Sequence, residues 1–299
     1  MHDTDVLPSS AAAMQSSCGA TAATAQTEYV EVDGQPIAYR SFGSGRSILL
    51  INRLRGTLDT WDPLFLDTLA ATCNVITVDY PGIGYSSGAF PANMKEASDF
   101  VGSFAEALDL ERFVLLGWSW GGLVAQAVMI DRPERVTHLV LIGTAPPGKG
   151  QMPAEQAFLE RAFKPVNDLA DEAVLFFEPD SPTSMRTAKQ SHDRIYARPG
   201  VTERIPSTEP EIMAYLSVAA EFREDEAGRR QRLLETDKPV LVITGDNDPS
   251  ARAENWLALV NKTRSVSTVV LPETGHAPQH QHPALTVAMV ETFLHYAAG

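Results

Sequence analysis

Short runs of apolar, often β-branched residues recur along the chain, and patterns with helical spacing lie between them. Six of these runs predict buried strands, over residues 46–52, 74–80, 112–117, 135–143, 238–245 and 265–272. The intervening patterns predict helices over residues 92–110, 122–133, 251–262 and 282–297. Uninterrupted apolar strands that alternate with helices are typical of a mostly parallel sheet covered on both faces. The pattern therefore predicts a doubly wound α/β fold.

Two segments depart from this alternation. Near the start, residues 27–43 predict an antiparallel hairpin that turns at Asp33 and Gly34. Between residues 146 and 237 the sequence reads as helices around a polar, proline-bearing middle, with no strand-rich core of its own. We therefore expect three parts: a disordered tail at 1–27, an α/β core at 28–145 and 238–299, and a helical cap inserted at 146–237.

The composition restricts the partners of the protein. Hydrophobic residues make up 44% of the chain and charged residues 21%, which is ordinary for a soluble globular protein. The net charge of -14 repels nucleic-acid phosphates and anionic membrane surfaces, so neither is an expected partner. A small-molecule substrate is the partner that remains, and the sequence leaves a homodimer open.

The location and the metal content are predicted from the tail and from the cysteines. Residues 1–27 contain no Lys or Arg and no long run of large aliphatic residues, which a secretory signal would need. We therefore expect a cytoplasmic protein. The two cysteines, Cys18 in the tail and Cys73 before a strand, indicate neither a disulfide framework nor a zinc site.

The stretch "LLGWSWGGLVAQ" (115–126) carries the clearest chemical signal. Ser119 lies between a predicted strand and a predicted helix, and glycines stand two positions before and after it. A strand that turns at once into a helix crowds its backbone, and glycine relieves the crowding. Such a turn raises a serine oxygen above the carboxyl edge of the sheet, where ligands bind in open α/β folds. The spacing predicts that Ser119 is a nucleophile.

A serine hydroxyl needs a base, and the base needs a carboxylate that orients it. His276 follows the last predicted strand in a glycine-containing loop that opens on the same sheet edge. Asp248, in "TGDNDP" after the preceding strand, is the predicted carboxylate, and Asp246 is the alternative. His280 and His282 lie nearby, but no second group of carboxylates accompanies them, so no metal site is predicted.

Together these segments resemble the α/β hydrolase family, with a helical cap. "DYPGIGYSSG" (79–88) is similar to the family's turn after the fourth strand, and "RPERVTHLVLIGTAPP" (132–147) is similar to its approach to the cap. "TGDNDP" and "ETGH" match its usual acid and base positions. The resemblance spans roughly residues 29–296. It implies the order Ser119, Asp248, His276 for the catalytic residues and no cofactor.

The segment "LLINRLRGTLDTWDP" (49–63) departs from the family. The family usually has His-Gly after this strand, and an alignment through Gly56 and Trp61 places Asn52 and Arg53 at those positions. The resemblance then implies that the backbone N–H groups of Leu54 and Trp120 form an oxyanion hole. Because Arg53 replaces a glycine, the loop cannot be assumed to keep the family's conformation.

The arginines of this loop admit two interpretations. Arg53 and Arg55 either bind a carboxylate or phosphate on the substrate or form structural ion pairs with Asp59, Asp62 or Asp79. The aromatic residues near the predicted site are equally open, because amphipathic packing explains them as well as a role in the pocket does. The residues so considered are Trp118, Trp120, Phe176, Phe177, Tyr196 and Tyr215.

The function that follows from these expectations is a serine hydrolase acting on an ester or lactone of a small, largely apolar molecule. Related families suggest a carbon–carbon bond hydrolase, a perhydrolase or an aminopeptidase as alternatives with the same three residues. Epoxide hydrolases and haloalkane dehalogenases carry an aspartate at the elbow, so Ser119 disfavours both. A receptor of the same fold that binds its ligand without turnover is the alternative from another class.

Overall fold

An eight-stranded sheet forms the centre of the protein, whose structure is a computed structural model describing residues 19–150 and 152–296. The strands are β1 (Glu28–Val32), β2 (Gln35–Gly43), β3 (Arg46–Ile51), β4 (Cys73–Val78), β5 (Phe113–Trp118), β6 (Val136–Ile142), β7 (Val240–Gly245) and β8 (Val266–Leu271). Their order across the sheet is β1-β2-β4-β3-β5-β6-β7-β8. Pairs β1–β2 and β2–β4 are antiparallel and the others are parallel. The predicted fold class is confirmed.

The turn between β1 and β2 follows the prediction of a hairpin. Asp33 and Gly34 have φ angles of 51° and 76°. Two successive left-handed residues are what a tight hairpin turn requires, and aspartate and glycine adopt that region at low cost.

Twelve helices are described around the sheet within residues 19–150 and 152–296. They are α1 (Pro63–Ala70), α2 (Met94–Ala107), α3 (Trp120–Asp131), α4 (Gln156–Ala162), α5 (Leu169–Phe176), α6 (Pro182–Ile195), α7 (Val201–Arg204), α8 (Glu209–Glu224), α9 (Arg229–Glu235), α10 (Glu254–Leu257), α11 (Pro278–Gln281) and α12 (Pro283–Tyr296). Three of these helices, α7, α10 and α11, are only four residues long, and the longest are α2, α3, α6, α8 and α12.

The core has one layer on each face of the sheet. Alternate residues of a strand point to opposite faces, so Leu49 packs with α2 and α3 and Ile48 packs with α1 and α12. The central strands β5 and β7 are buried along their whole length. Because β5, β6 and β7 are parallel, their carboxyl ends lie at one edge of the sheet, under the helices of the insertion.

The prediction of a helix over residues 251–262 is wrong for most of its length. Only Glu254–Leu257 is helical there, and the following turns close through bonds such as Leu259 N–H to the Trp256 carbonyl (2.8 Å). The segment ends at Asn261 with a φ of 65°. Helical spacing of apolar residues does not distinguish a helix from successive three-residue turns, because both place side chains i and i+3 on one face.

The chain before β1 differs from the predicted tail. Residues 1–18 lie outside the described residues, but residues 19–27 pack on the core. Ala22 and Ala25 are buried, the Ala22 N–H donates to Asp67 Oδ1 (2.6 Å), and Arg198 donates to the Ala22 carbonyl (2.9 Å). Alanine loses no side-chain rotamer freedom when buried, so a segment without large apolar residues can still be ordered.

The segment predicted as a cap contains helices α4 to α9, and among its described residues no strand is found. Arg194 on α6 connects this segment to the core through Asp62, which begins α1 as its N-cap. The guanidinium donates twice to the carboxylate, with distances of 2.8 Å and 2.6 Å. The Asp62 side chain is fully buried, so the pair with Arg194 supplies the counter-ion that this carboxylate cannot obtain from solvent.

We expect Arg194→Leu to lower the free energy of unfolding by about 2 kcal/mol, because it leaves the Asp62 carboxylate buried without its partner. The expected loss is below that of a fully buried pair because the Arg194 side chain is 31% exposed. Urea unfolding measures the change. Arg186→Leu, at an exposed position on the same helix, is the matched control, and an equal loss in both variants would contradict the assignment.

Candidate active site

Ser119 stands on a strained turn between β5 and α3. Its φ and ψ are 54° and -119°, a region that costs a residue other than glycine about 1–3 kcal/mol. A Cβ atom at Gly117 would lie 2.5 Å from the Gly121 carbonyl oxygen, and one at Gly121 would lie 2.3 Å from the Ile51 carbonyl oxygen. Both glycines are therefore required by the close packing of strand and helix.

Ser119, His276 and Asp248 form one chain of hydrogen bonds. Ser119 Oγ lies 2.8 Å from His276 Nε2, and His276 Nδ1 lies 2.9 Å from both carboxylate oxygens of Asp248. Asp248 and His276 are buried. A carboxylate at Nδ1 keeps the proton on that nitrogen, so Nε2 is free to accept the serine proton.

Asp248 is itself fixed by the backbone. Its Oδ1 accepts bonds from the N–H groups of Ser250 (2.8 Å) and Ala251 (2.7 Å). Asp246, the alternative carboxylate, is exposed and accepts a bond from the Thr274 N–H (3.2 Å) instead. Of the two, only Asp248 contacts the histidine.

The loop that carries His276 is held on three sides. The Trp118 indole N–H donates to the His276 carbonyl (3.0 Å), and the Ala277 N–H donates to the Phe176 carbonyl (2.8 Å). At the end of β6, a Cβ on Gly143 would lie 2.3 Å from the His276 carbonyl oxygen. Gly143 was not singled out in the sequence, although a glycine directly after an apolar strand at this edge is a usable signal.

Two backbone N–H groups are available beside Ser119. Trp120 is the first residue of α3, where N–H groups have no acceptor within the helix. Leu54 lies in the loop after β3, and within the described part of the chain its N–H has no protein acceptor. An oxyanion hole requires two such donors.

The side chain of Asn52 forms hydrogen bonds across the loop that follows β3. Its amide donates to the Thr57 carbonyl (2.8 Å) and to Thr60 Oγ1 (3.0 Å), and its oxygen accepts from the Arg53 N–H (2.8 Å). Arg53 stands where the family usually has glycine, but its backbone does not adopt a positive φ. Arg55 is the loop residue with a positive φ, of 60°.

Arg55 binds backbone carbonyl groups, and the ion pair considered for it is wrong. Its guanidinium donates to the carbonyls of Pro206 (2.5 Å), Lys164 (2.7 Å) and Pro165 (2.6 Å), all in the inserted segment. The carboxylates that were considered are occupied by other groups. Asp59 pairs with Arg40, Asp62 pairs with Arg194, and Asp79 accepts the N–H groups of Leu58 and Tyr85.

The cavity that contains Ser119 and His276, called here the Ser119 cavity, lies between the core loops and α4 to α7. Its wall includes Arg53, Leu54, Phe158, Leu175, Phe176 and Tyr196. Phe158 approaches His276 edge to face, with ring centroids 5.5 Å apart. Phe176 and Tyr196 were named from the sequence, whereas Phe158 and Leu175 were missed because any apolar position of an amphipathic helix fits equally well.

Five predicted pocket residues lie outside this wall: Asn52, Trp118, Trp120, Phe177 and Tyr215. Trp120 packs edge to face against Tyr215 and donates its indole N–H to the Tyr215 carbonyl (2.9 Å). The Phe177 backbone packs against Gly275, beside the histidine loop. Most of the aromatic residues considered near the site thus pack behind the cavity wall and do not line it.

His280 and His282 have structural contacts. His280 Nε2 accepts a bond from the Asp62 N–H (3.2 Å), and His282 Nε2 lies 3.1 Å from Thr274 Oγ1. Between residues 19 and 296, with residue 151 left aside, no three His, Cys, Asp or Glu side chains are placed to hold a metal ion. In the same described ranges, none of the helices has the length and hydropathy needed to span a bilayer.

Comparison with known proteins agrees with this architecture. A model of the family described as alpha/beta hydrolase fold matches residues 47–283. An alpha/beta hydrolase fold protein from Chitinophaga pinensis superposes with a TM-score of 0.79 at 26% identity, covering 92% of this chain and 99% of that one. The chain belongs to the α/β hydrolase family.

The relatives whose activities are named differ from one another in those activities. A dihydrolipoyllysine-residue acetyltransferase component of an acetoin cleaving system from Cupriavidus necator is 30% identical over 251 residues, which cover 78% of this chain and 61% of that protein. A pimeloyl-[acyl-carrier protein] methyl ester esterase from Vibrio campbellii is 24% identical over 261 residues, covering 85% of this chain and 96% of that protein. A further relative, from Xenorhabdus hominickii, is a pyrrolizixenacetamide deacetylase, with 26% identity over 276 residues, covering 89% of this chain and 97% of that one.

We expect stability to fall in acid through His280. Burial lowers the pKa of its imidazole from 6.5 to about 4, against the opposing effect of Asp62. The folded state holds this group neutral, so its contribution is complete above pH 6.5 and is lost as pH falls from 6.5 to about 4. The full loss is about 3 kcal/mol.

His280→Gln keeps a hydrogen-bond acceptor for the Asp62 N–H and removes the titration. Denaturant unfolding at intervals between pH 4 and 7 should give a flatter profile for this variant than for the wild type. His295→Gln, at an exposed position of α12, controls for the loss of one histidine. Parallel profiles for His280→Gln and the wild type would refute the assignment.

Proposed function

We propose that the protein is a serine hydrolase that cleaves a carboxylic ester or lactone through an acyl-enzyme intermediate. The observation that carries the proposal is the chain of hydrogen bonds from Ser119 Oγ through His276 to Asp248, with distances of 2.8 Å and 2.9 Å. Its members come from three separate loops, and its outer end opens into the Ser119 cavity. A chance contact between a surface serine and a histidine would not have a buried carboxylate behind it.

In the first half of the reaction, His276 Nε2 accepts the proton of Ser119 as the serine oxygen attacks the carbonyl carbon. The negative charge that develops on the carbonyl oxygen is stabilised by the N–H groups of Leu54 and Trp120. Donors of this kind contribute about 3 kcal/mol each to lowering the barrier. The histidine then donates its proton to the departing alkoxide, which leaves as an alcohol.

In the second half, a water molecule gives its proton to His276 and attacks the acyl-enzyme. The tetrahedral intermediate collapses, the serine oxygen takes back the proton, and the carboxylic acid leaves. Asp248 stabilises the charged imidazole in both halves. No metal or cofactor is needed for either step.

The substrate class is supported by the walls of the cavity and by the relatives. Phe158, Leu175 and Phe176 give an apolar lining around the nucleophile. The Vibrio campbellii relative is named as a methyl ester esterase and the Xenorhabdus hominickii relative as a deacetylase, so acyl transfer to water is the chemistry that both names share.

We expect a fluorophosphonate to add once to the wild-type protein and not to Ser119→Ala, because only an activated serine reacts. Ester hydrolysis should fall by a factor of about 10⁴ or more in the same variant. Intact-protein mass and a panel of short esters and lactones measure both effects. Ser207→Ala, an exposed serine of the inserted segment, is the control. No adduct and stoichiometric ligand binding without turnover would favour a receptor instead.

The carboxylate is tested by a pair of variants in one loop. Asp248→Asn should lower kcat by a factor of about 10⁴, because an amide at this position no longer fixes the reactive tautomer of His276. Asp246→Asn keeps an oxygen for the Thr274 N–H and should stay within about tenfold of the wild type. Steady-state kinetics decide between them, and equal losses would mean that the loop, rather than the carboxylate, is being probed.

A further inference from the structure

Arg53 brings a guanidinium group into the Ser119 cavity. It follows β3 by two residues and lines the same wall as Ser119 and His276. Its guanidinium carbon lies 4.6 Å from the ring centroid of Phe176 and 5.3 Å from that of Trp118. Stacking on two rings holds the planar group in one orientation, and among the described residues Nη2 has no hydrogen-bond acceptor.

The charge of Arg53 has no counter-ion among the described residues. Nη1 donates to the neighbouring Leu54 carbonyl (2.8 Å), Nε is buried with no hydrogen-bond partner, and no carboxylate lies within 4.0 Å. Every aspartate that the sequence offered as a partner is engaged elsewhere. Arg53 therefore differs from Arg55, whose guanidinium is satisfied by backbone carbonyls.

Glu172 is the acidic residue in the wall of the same cavity, and its oxygens are already used. One accepts a bond from the Tyr196 hydroxyl (2.6 Å), and the other lies 2.7 Å from His192 Nδ1. Glu172 tempers the positive potential around Arg53 without pairing with it. A monoanion fits this balance better than a phosphate dianion, which would face the Glu172 charge.

The guanidinium of Arg53 is half-buried and unpaired, which carries a cost. Desolvation lowers the pKa of Arg53 to about 10, so the group stays charged at neutral pH in a site that disfavours charge. An apolar side chain of similar size would pack against the same two rings without that cost. A charge kept unpaired beside a nucleophile is expected where a ligand supplies the counter-ion.

We propose that Arg53 binds a carboxylate on the substrate, so that the protein acts on esters that also carry a free carboxylate group. This inference rests on the proposed function, since it places the carboxylate in the cavity of the reacting serine. The planar fork of arginine matches a carboxylate in shape and can donate two parallel hydrogen bonds. Arg53 would thereby select the substrate and orient its ester toward Ser119 without taking part in proton transfer.

The test compares monomethyl esters of straight-chain dicarboxylic acids with the same esters carrying a terminal amide. The two members of each pair differ in charge and little in size. For at least one chain length, the wild type should favour the acid by about ten- to a hundredfold in kcat/KM, as expected for a charge-assisted bond. Arg53→Met should abolish this ratio, and Arg53→Lys should keep part of it.

Arg186→Met removes the same charge from an exposed position on α6 and should keep the wild-type ratio. Thermal unfolding separates recognition from a structural role. If Arg53 serves recognition, Arg53→Met should not lower Tm, because it removes an unpaired, half-buried charge. A lower Tm together with an unchanged ratio would overturn the proposal.

Labelling of Ser119 by a fluorophosphonate distinguishes failure of the proposed function from failure of the role of Arg53. If Ser119 is not labelled and no ester is cleaved, the proposed function fails and this inference fails with it. If Ser119 is labelled and acid and amide react equally in the wild type, only the role of Arg53 is overturned. For chain lengths that are not cleaved, the half-amide of each diacid should slow labelling of the wild type more than the diamide does, and equal protection would also count against Arg53.

Discussion

The contact on which the site depends is the one between the first turn of α3 and the end of β3. At Gly121 the helix backbone comes so close to the Ile51 and Asn52 carbonyls that a Cβ would lie 2.3 Å and 2.4 Å from them. This approach places the start of α3 beside the loop that carries Leu54. The Leu54 and Trp120 N–H groups, from separate parts of the chain, are then both near Ser119. A larger residue at position 121 would push the helix and this loop apart.

The strain at Ser119 is maintained by its surroundings. The Ser119 N–H donates to the Ile142 carbonyl (2.9 Å), and the Gly122 N–H returns a bond to the Ser119 carbonyl (2.9 Å). On one side β5 is buried along its length, and on the other α3 packs into the core through Val124 and Val128. An isolated peptide with this sequence would relax, so the conformation of Ser119 depends on the sheet and not on the pentapeptide alone.

The sequence predicts the parts of this protein whose physics is local. Buried strands have a recognisable apolar pattern, and a tight strand-to-helix turn needs small residues at fixed spacing, so the fold and the turn at Ser119 could be predicted from the chain. Asp248 was preferred to Asp246 for its place three residues after the glycine and just before Pro249, and the geometry then separates a carboxylate on the histidine from one on the Thr274 N–H. The contacts of Arg55 could not be predicted, because every residue offers a carbonyl and nothing in the sequence marks which ones lie within reach.

Arg55 connects the loop that carries Leu54 to the helices of the inserted segment. It stands next to Leu54, and its guanidinium is held by two carbonyls within the inserted segment, at Lys164 and Pro206. A single side chain, that of Arg55, therefore connects these two carbonyls to the backbone beside the Leu54 amide. Because Arg55 joins the two, a displacement of the inserted helices would also pull on the loop that carries the Leu54 N–H. The enclosure of a ligand beneath these helices and the position of that N–H beside Ser119 are therefore coupled.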